Sequence, residues 1–180
     1  MNETERLFIG VPVDESTRSI LMRQLPKNLP GKAAPPENWH FTLRFLGSTE
    51  AGRRDELIER LSSTRFGSSF DLAFDRLGAF PNPGRARVVW IGTGAGHERL
   101  ERIAARVEEI CRAVGFEPEK RTFKAHLTVA RMREPQSVAA LLSSARPIQA
   151  TVEVREIILY RSESGIKHSR YSIVASIPLD

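Results

Sequence analysis

Two four-residue segments of this chain pair an imidazole with a hydroxyl: His40-Phe41-Thr42-Leu43 and His126-Leu127-Thr128-Val129. Both lie in runs that alternate polar and apolar. Trp39, Phe41, Leu43 and Phe45 share one parity, and His40, Thr42 and Arg44 the other. In the second run Phe123, Ala125, Leu127 and Val129 alternate with Lys124, His126 and Thr128. Alternation of this kind belongs to a half-buried β-strand, whose successive side chains point to opposite faces. Each strand therefore presents a His and a Thr together, away from the core. Two such strands facing one cleft would form a symmetric acid/base site. One imidazole takes a proton while the other gives one, since a pKa ordinarily near 6.5 keeps both forms accessible. The hydroxyls would donate hydrogen bonds to an anion held between them.

The elements that must position these strands follow from the same patterning. Residues 7–13 read as a first strand, with Leu7, Ile9, Val11 and Val13 inward. Asp14 is an N-cap for a helix carrying Ile20, Leu21 and Leu25, which Pro26 ends. Residues 27–37, rich in Pro and Gly, read as a loop into the first histidine strand. A short helix over 51–63 turns Leu57, Ile58 and Leu61 inward, strands follow over 70–80 and 86–91, and residues 81–84 turn between them. The clearest helix spans 97–114, where Leu100, Ile103, Val107, Ile110, Cys111 and Val114 recur at three and four and Gly115 stops the helix. A helix over 135–145 leads to a strand-rich end: Val152 and Val154, residues 157–160, a turn over 162–167, and Tyr171 to Ile177. Strands mixed with a few helices predict an α+β fold with antiparallel sheets.

The net charge of +5 is mostly arginine, a residue whose planar fork suits phosphate oxygens. Arg44 and Lys124 share the polar parity of the histidine strands and so bring that charge toward the cleft. A chain of 180 residues with 41% hydrophobic and 27% charged content buries a real core and is neither disordered nor membrane-bound. No apolar run approaches the ~20 residues of a membrane span. The N-terminus carries no signal-peptide pattern, and a single cysteine excludes an internal disulfide framework and suits the reducing cytoplasm. Cys111 reads as a small buried hydrophobe, and His97 and His168 as surface residues.

The paired tetrads resemble the two-histidine phosphoesterases, and within them the RNA 2′,3′-cyclic phosphodiesterases, also described as 2′-5′ RNA ligases. The likeness runs through Trp39 to Gly47, then Gly78-Ala79-Phe80-Pro81-Asn82-Pro83, Arg87-Val88-Val89-Trp90, His126 to Arg131, Leu159-Tyr160-Arg161-Ser162 and the Tyr171 strand. One departure is Ala125, where such proteins often have proline before the second His. The resemblance implies a single domain over residues 1–180 with two pseudo-symmetric lobes of antiparallel sheet, helices outside and a central cleft. It implies hydrolysis of RNA 2′,3′-cyclic phosphodiester ends to 2′-phosphomonoesters, with reversible 2′-5′ ligation as a second direction. His40 would be the proton donor and His126 the proton acceptor, with Thr42 and Thr128 binding the phosphate. Arg131 occupies a motif position as a further phosphate contact, although strict alternation would turn it toward the core. The partners are RNA ends or nucleotides bearing the cyclic phosphate, with no cofactor and no obligate protein partner.

Two readings of other classes bear on the same residues. A zinc hydrolase needs at least a third ligand and a bound water, and neither tetrad has an acidic neighbour on its polar parity. A non-catalytic RNA- or nucleotide-binding module of the same fold would be marked by loss of a His or Thr, and both tetrads are intact.

Overall fold

The computed structural model describes residues 4–166 and 168–180. The extreme N-terminus and the last residue of the turn read over 162–167 lie outside the described residues. In chain order the elements are β1 (Thr4–Pro12), α1 (Glu15–Gln24), β2 (Lys32–Ala33), β3 (His40–Glu50), α2 (Ala51–Ser62), β4 (Phe70–Phe80), β5 (Ala86–Thr93), α3 (His97–Ala113), β6 (His126–Gln136), α4 (Ala139–Ser144), β7 (Ala150–Val154), β8 (Glu156–Glu163) and β9 (Arg170–Pro178). Local chemistry explains several ends. The Asp14 carboxylate accepts a 2.9 Å hydrogen bond from the Thr17 N–H and so caps α1. The inward stripe of α3 is buried from Leu100 to Cys111, as its spacing predicts.

All nine strands join one antiparallel sheet in the order β7-β4-β5-β6-β3-β1-β8-β9, with β2 added along β6. The two histidine strands are thus the central neighbours, each heading a four-strand half, which is the mirrored arrangement the tetrads imply. The helices cross between halves. α1 leaves β1 yet packs on β7, and α3 leaves β5 yet packs on β3. Arg155 alone separates β7 from β8, which stand near opposite ends of the sheet order. Neighbouring Cα atoms lie only about 3.8 Å apart, so the sheet must curl until these ends meet. The C-terminus fastens that seam: Leu179 N–H donates to Arg155 O at 2.8 Å, and Asp180 N–H to Gly67 O at 3.0 Å.

Two local expectations are corrected. The helix read over 135–145 is reduced to α4, because β6 runs on to Gln136, which pairs with Ala86, and Val138 N–H bonds Pro83 O at 2.8 Å. The loop over 27–37 contains β2, paired with Ala130 and Arg131, and a 3-10 turn over Pro36–Asn38. Both differences come from pairing with residues distant in sequence, which outweighs local propensity.

Gly78 lies in register with Trp90, and a Cβ there would sit 2.2 Å from the indole Cη2. Gly78→Ala should therefore cost about 1–3 kcal/mol of stability as the indole is displaced. A urea midpoint unchanged from wild type would show that the indole has another place to go.

Candidate functional site

The floor of the site is a single cross-strand pair. Phe41 of β3 and Leu127 of β6 are in register, and both are fully buried on the core face. Their flanking residues must face the other way. His40 and Thr42, His126 and Thr128 are all half-buried on that face. Antiparallel register places Thr128 across from His40 and Thr42 across from His126, so the imidazoles sit on a diagonal. Diagonal neighbours have Cβ atoms roughly 7–8 Å apart, room for a tetrahedral anion between the two rings. All four side chains and Arg131 line one cavity of about 260 Å³, together with Lys32, Asn38, Phe45, His168 and Tyr171. A larger hollow of about 600 Å³ shares Thr42, Phe45, His126, Thr128 and Arg131 and continues past Phe80, Phe123 and Lys124.

The two rings are held by the same device. His40 Nδ1 lies 2.7 Å from the Asn38 carbonyl, and His126 Nδ1 lies 2.7 Å from the Lys124 carbonyl, each two residues upstream. A carbonyl only accepts, so Nδ1 carries the proton in both and Nε2 is left for chemistry. His40 Nε2 is 3.0 Å from the Thr42 hydroxyl. His126 Nε2 has no hydrogen-bond partner among the described residues. Aromatic walls fix each ring: Phe8, Tyr171 and Tyr160 at 4.7, 5.4 and 5.8 Å from His40, and Phe80 edge-on at 5.0 Å from His126. Gly10 makes room on the His40 side, since a Cβ there would lie 2.9 Å from the Phe41 carbonyl and 3.3 Å from the ring.

Both imidazoles are poor bases toward a lone proton. Burial pushes His40 down to about 4, and the positive charges of Arg131 and His126 act the same way, against the Asn38 carbonyl. Burial, again with Arg131, also holds His126 below its ordinary value, against the Lys124 carbonyl. The empty site is therefore a neutral pair of rings beside a fixed cation, an environment that favours an anion.

Strict alternation is interrupted in both histidine strands, and the first interruption after each histidine falls at the same place. In β3, Thr42 faces Gly10 while Arg44 faces Ile9, so Leu43 is an extra residue. In β6, Thr128 faces Trp90 while Ala130 faces Val89, so Val129 is extra. Bulges of this kind bend a strand and re-aim the side chains beyond them. They correct three readings at once. Arg131 joins the His126 face and lines the cleft. Phe45, read as core, is instead 60% exposed at the cleft rim. Arg44, read as bringing free charge toward the cleft, borders the larger hollow with its guanidinium tied down, Nε 2.7 Å from Glu108 of α3 and Nη1 3.1 Å from Glu119. Phe45 and Arg131 each come five residues after their histidine, so equivalent positions of a near-twofold site carry an aromatic ring on one side and a cation on the other.

The remaining histidines also differ from their surface reading. His168 is half-buried and lines the cleft, and the Asn38 amide donates to Ser169 O at 2.8 Å, tying this segment to the residue that orients His40. His97 is half-buried, with Nδ1 2.9 Å from Gly94 O, in a hollow that also borders His126. Phe8, Asn38, Tyr160 and Tyr171 went unassigned in the sequence. The signals were the β-rich stretches around Phe8, Tyr160 and Tyr171 and the place of the two tyrosines in the family likeness, while Asn38 carried none. Cys111 is buried as expected, and burial raises its thiol to about 12. Among the described residues, no helix is long and apolar enough to cross a membrane.

Comparison with known proteins places this geometry among relatives. The LigT-like phosphoesterase family model matches twice, over residues 12–90 and 91–170. An RNA 2′,3′-cyclic phosphodiesterase of Aeropyrum pernix is 41% identical over 74% of this chain and 78% of its own length. One from Archaeoglobus fulgidus is 40% identical over 87% of this chain and 90% of its own. The crystal structure of E. coli LigT complexed with 3′-AMP superposes with a TM-score of 0.85 at 24% identity, covering 98% of this chain and 99% of that one. Each of the two matched spans contains one histidine strand, β3 in the first and β6 in the second.

The rephasing by the bulges has a direct test in anion binding. Arg131→Ala should weaken inorganic phosphate, monitored by NMR shifts of the His126 ring, by about 10–100-fold, as for loss of a charged hydrogen bond. Arg44→Ala should leave that affinity unchanged and lower stability instead. The reverse pattern would make Arg44 the anion contact in place of Arg131.

Proposed function

We propose, from the premise that this chain belongs to the LigT-like phosphoesterase family, that it hydrolyses RNA 2′,3′-cyclic phosphodiester ends to 2′-phosphomonoesters by metal-independent two-histidine catalysis. The observation that carries this reading is the diagonal of two imidazoles, each with Nδ1 tied to a carbonyl and Nε2 left over the cleft. The phosphorus sits between them. Thr42, Thr128 and Arg131 hold the non-bridging oxygens, whose charge must be carried through the transition state. His126 Nε2 removes a proton from water as its oxygen bonds to phosphorus. His40 Nε2–H gives its proton to the 3′-oxygen as the P–O3′ bond breaks, and the 2′-oxygen keeps the phosphate. Solvent exchange then returns both rings to their starting states. The roles are those the family resemblance implies, and the partners support them: the free Nε2 of His126 is available to water, while His40 Nε2 is already held by Thr42 at 3.0 Å. A ribose hydroxyl in place of water would run the same site toward 2′-5′ ligation.

An acid that sits at about 4 in the empty site must be charged by its substrate. A phosphodiester anion about 4 Å away, at an effective dielectric of 20, is worth about 4 kcal/mol, enough to raise a pKa by about three pH units. Substrate binding thus raises the His40 pKa toward neutral pH, so that the ring holds the proton it must donate. Metal independence rests on the donor set. Among the described residues no group of three or more His, Cys, Asp or Glu is placed to hold an ion. A lone buried thiol suits the cytoplasm, where RNA ends of this kind would be met.

Hydrolysis of an RNA oligomer ending in a 2′,3′-cyclic phosphate should persist in EDTA and release a 2′-phosphate. Activity lost in EDTA and restored by a divalent ion would overturn the metal-free mechanism. His40→Ala and His126→Ala should each lower turnover by at least about 10²-fold while the fold survives, since neither ring fills the core. A near-wild-type rate in either variant removes its role.

The rate should be bell-shaped in pH, because the base must be neutral while the acid is protonated. His126→Ala should lose the acidic limb and His40→Ala the alkaline one. The alkaline limb should lie higher in kcat, which reports the substrate complex, than in kcat/KM, which reports the free enzyme with its depressed His40. Coincident alkaline limbs would mean that substrate does not charge the acid.

A further inference from the structure

A second basic hollow lies away from the cleft. Arg65, Arg99, Arg102 and Arg106 line a groove of about 340 Å³ whose floor includes Phe66 and Ile103. Arg99, Arg102 and Arg106 recur at three and four along α3, so their guanidinium groups stand on one flank of the helix. That flank is roughly 150° around the axis from His97 and Glu101, given 3.6 residues per turn. His97 and Glu101 border the hollow beside His126, so the two basic surfaces flank the first turns of α3 from opposite sides. No carboxylate lines the groove among the described residues. Arg106 has an ion pair with Glu109 at 2.8 Å, in which both side chains are largely exposed. Arg99 is anchored, its guanidinium 4.4 Å from the Phe70 ring centre and its Nη2 2.7 Å from the Ser68 carbonyl. Like charges at this spacing oppose helix formation, and nothing in the core requires them.

We infer that this groove binds the sugar-phosphate backbone of an RNA substrate, several nucleotides from the end that reacts. The inference rests on the cyclic phosphodiesterase reading for its choice of ligand. Seven residues of helix span about 10.5 Å, comparable to the run of two or three successive phosphates on one strand, about 6 Å apart along the backbone. Four guanidinium forks match such a run without reading bases. The RNA leaves the cleft beside His126, passes the first turn of α3, and lays its backbone along the arginine flank.

The test compares Arg65→Gln/Arg102→Gln/Arg106→Gln with wild type, leaving Arg99 and its contacts in place. Two substrates are used, a dinucleotide and a 25-nucleotide RNA, both ending in a 2′,3′-cyclic phosphate. The variant should raise KM for the long RNA at least tenfold, leaving its kcat and both constants for the dinucleotide unchanged. Affinity for a 25-nucleotide RNA with an ordinary 3′-hydroxyl, read by fluorescence anisotropy, should lose about 2 from the slope of log K against log salt, at about 0.7 per phosphate released. The corresponding triple lysine variant should recover most of the affinity, since lysine keeps the charge. Unchanged KM and unchanged salt slope for long RNA would overturn the groove's role. So would an unchanged RNA response with lost binding of poly-glutamate, which would assign the groove to an acidic protein. If wild type cleaves neither substrate, it is the cyclic phosphodiesterase reading that fails, and the anisotropy arm still decides the groove.

Discussion

A single registered pair, Phe41 with Leu127, joins the two central strands, and the geometry of the candidate site hangs on it. Because both side chains are buried on the core face, the residues on either side of each have no choice of direction. Sliding one strand by a single residue would send a histidine into the core and a phenylalanine into the cleft. The burial of those two apolar residues therefore sets the spacing of groups that never touch them. Acid/base chemistry across a phosphate needs two nitrogens on opposite sides of one atom, and a diagonal across an antiparallel pair supplies that arrangement from backbone geometry alone.

Symmetry gives the site its two histidines but gives neither a distinct task. The mirrored bulges at Leu43 and Val129 would preserve the likeness if the residues after them were alike. They are not. Each bulge delivers the fifth residue after its histidine to the cleft, and that residue is Phe45 on one side and Arg131 on the other. An aromatic face suits a nucleobase and a guanidinium suits an oxyanion, so the two equivalent positions differ in the chemistry they favour. The different occupation of the two Nε2 atoms points the same way.

The tetrads were legible because period-two patterning is a local property, and it correctly put both histidines and both threonines on the cleft face. The long helix was legible for the same reason, through Leu100 to Cys111. What was hidden depended on partners far away in sequence. Phe45, Arg44 and Arg131 could be assigned only once β1 and β5 showed where a residue was extra. The continuation of β6 through Pro135 depends on pairing with Ala86, and the place of His168 depends on the Asn38 amide. A helix-like pattern near residue 139 was outweighed by a strand ladder that it could not see.

The chain's path has a mechanical consequence. It enters the first half of the sheet, passes to the second through α2, and returns through Arg155 alone, while α1 and α3 are each packed on the half opposite to their strands. Neither half can swing without stretching a one-residue link or dragging a helix off its bed. The spacing across the cleft is therefore coupled to the packing of α1 and α3 and to the Arg155 seam, all of them away from the histidines themselves.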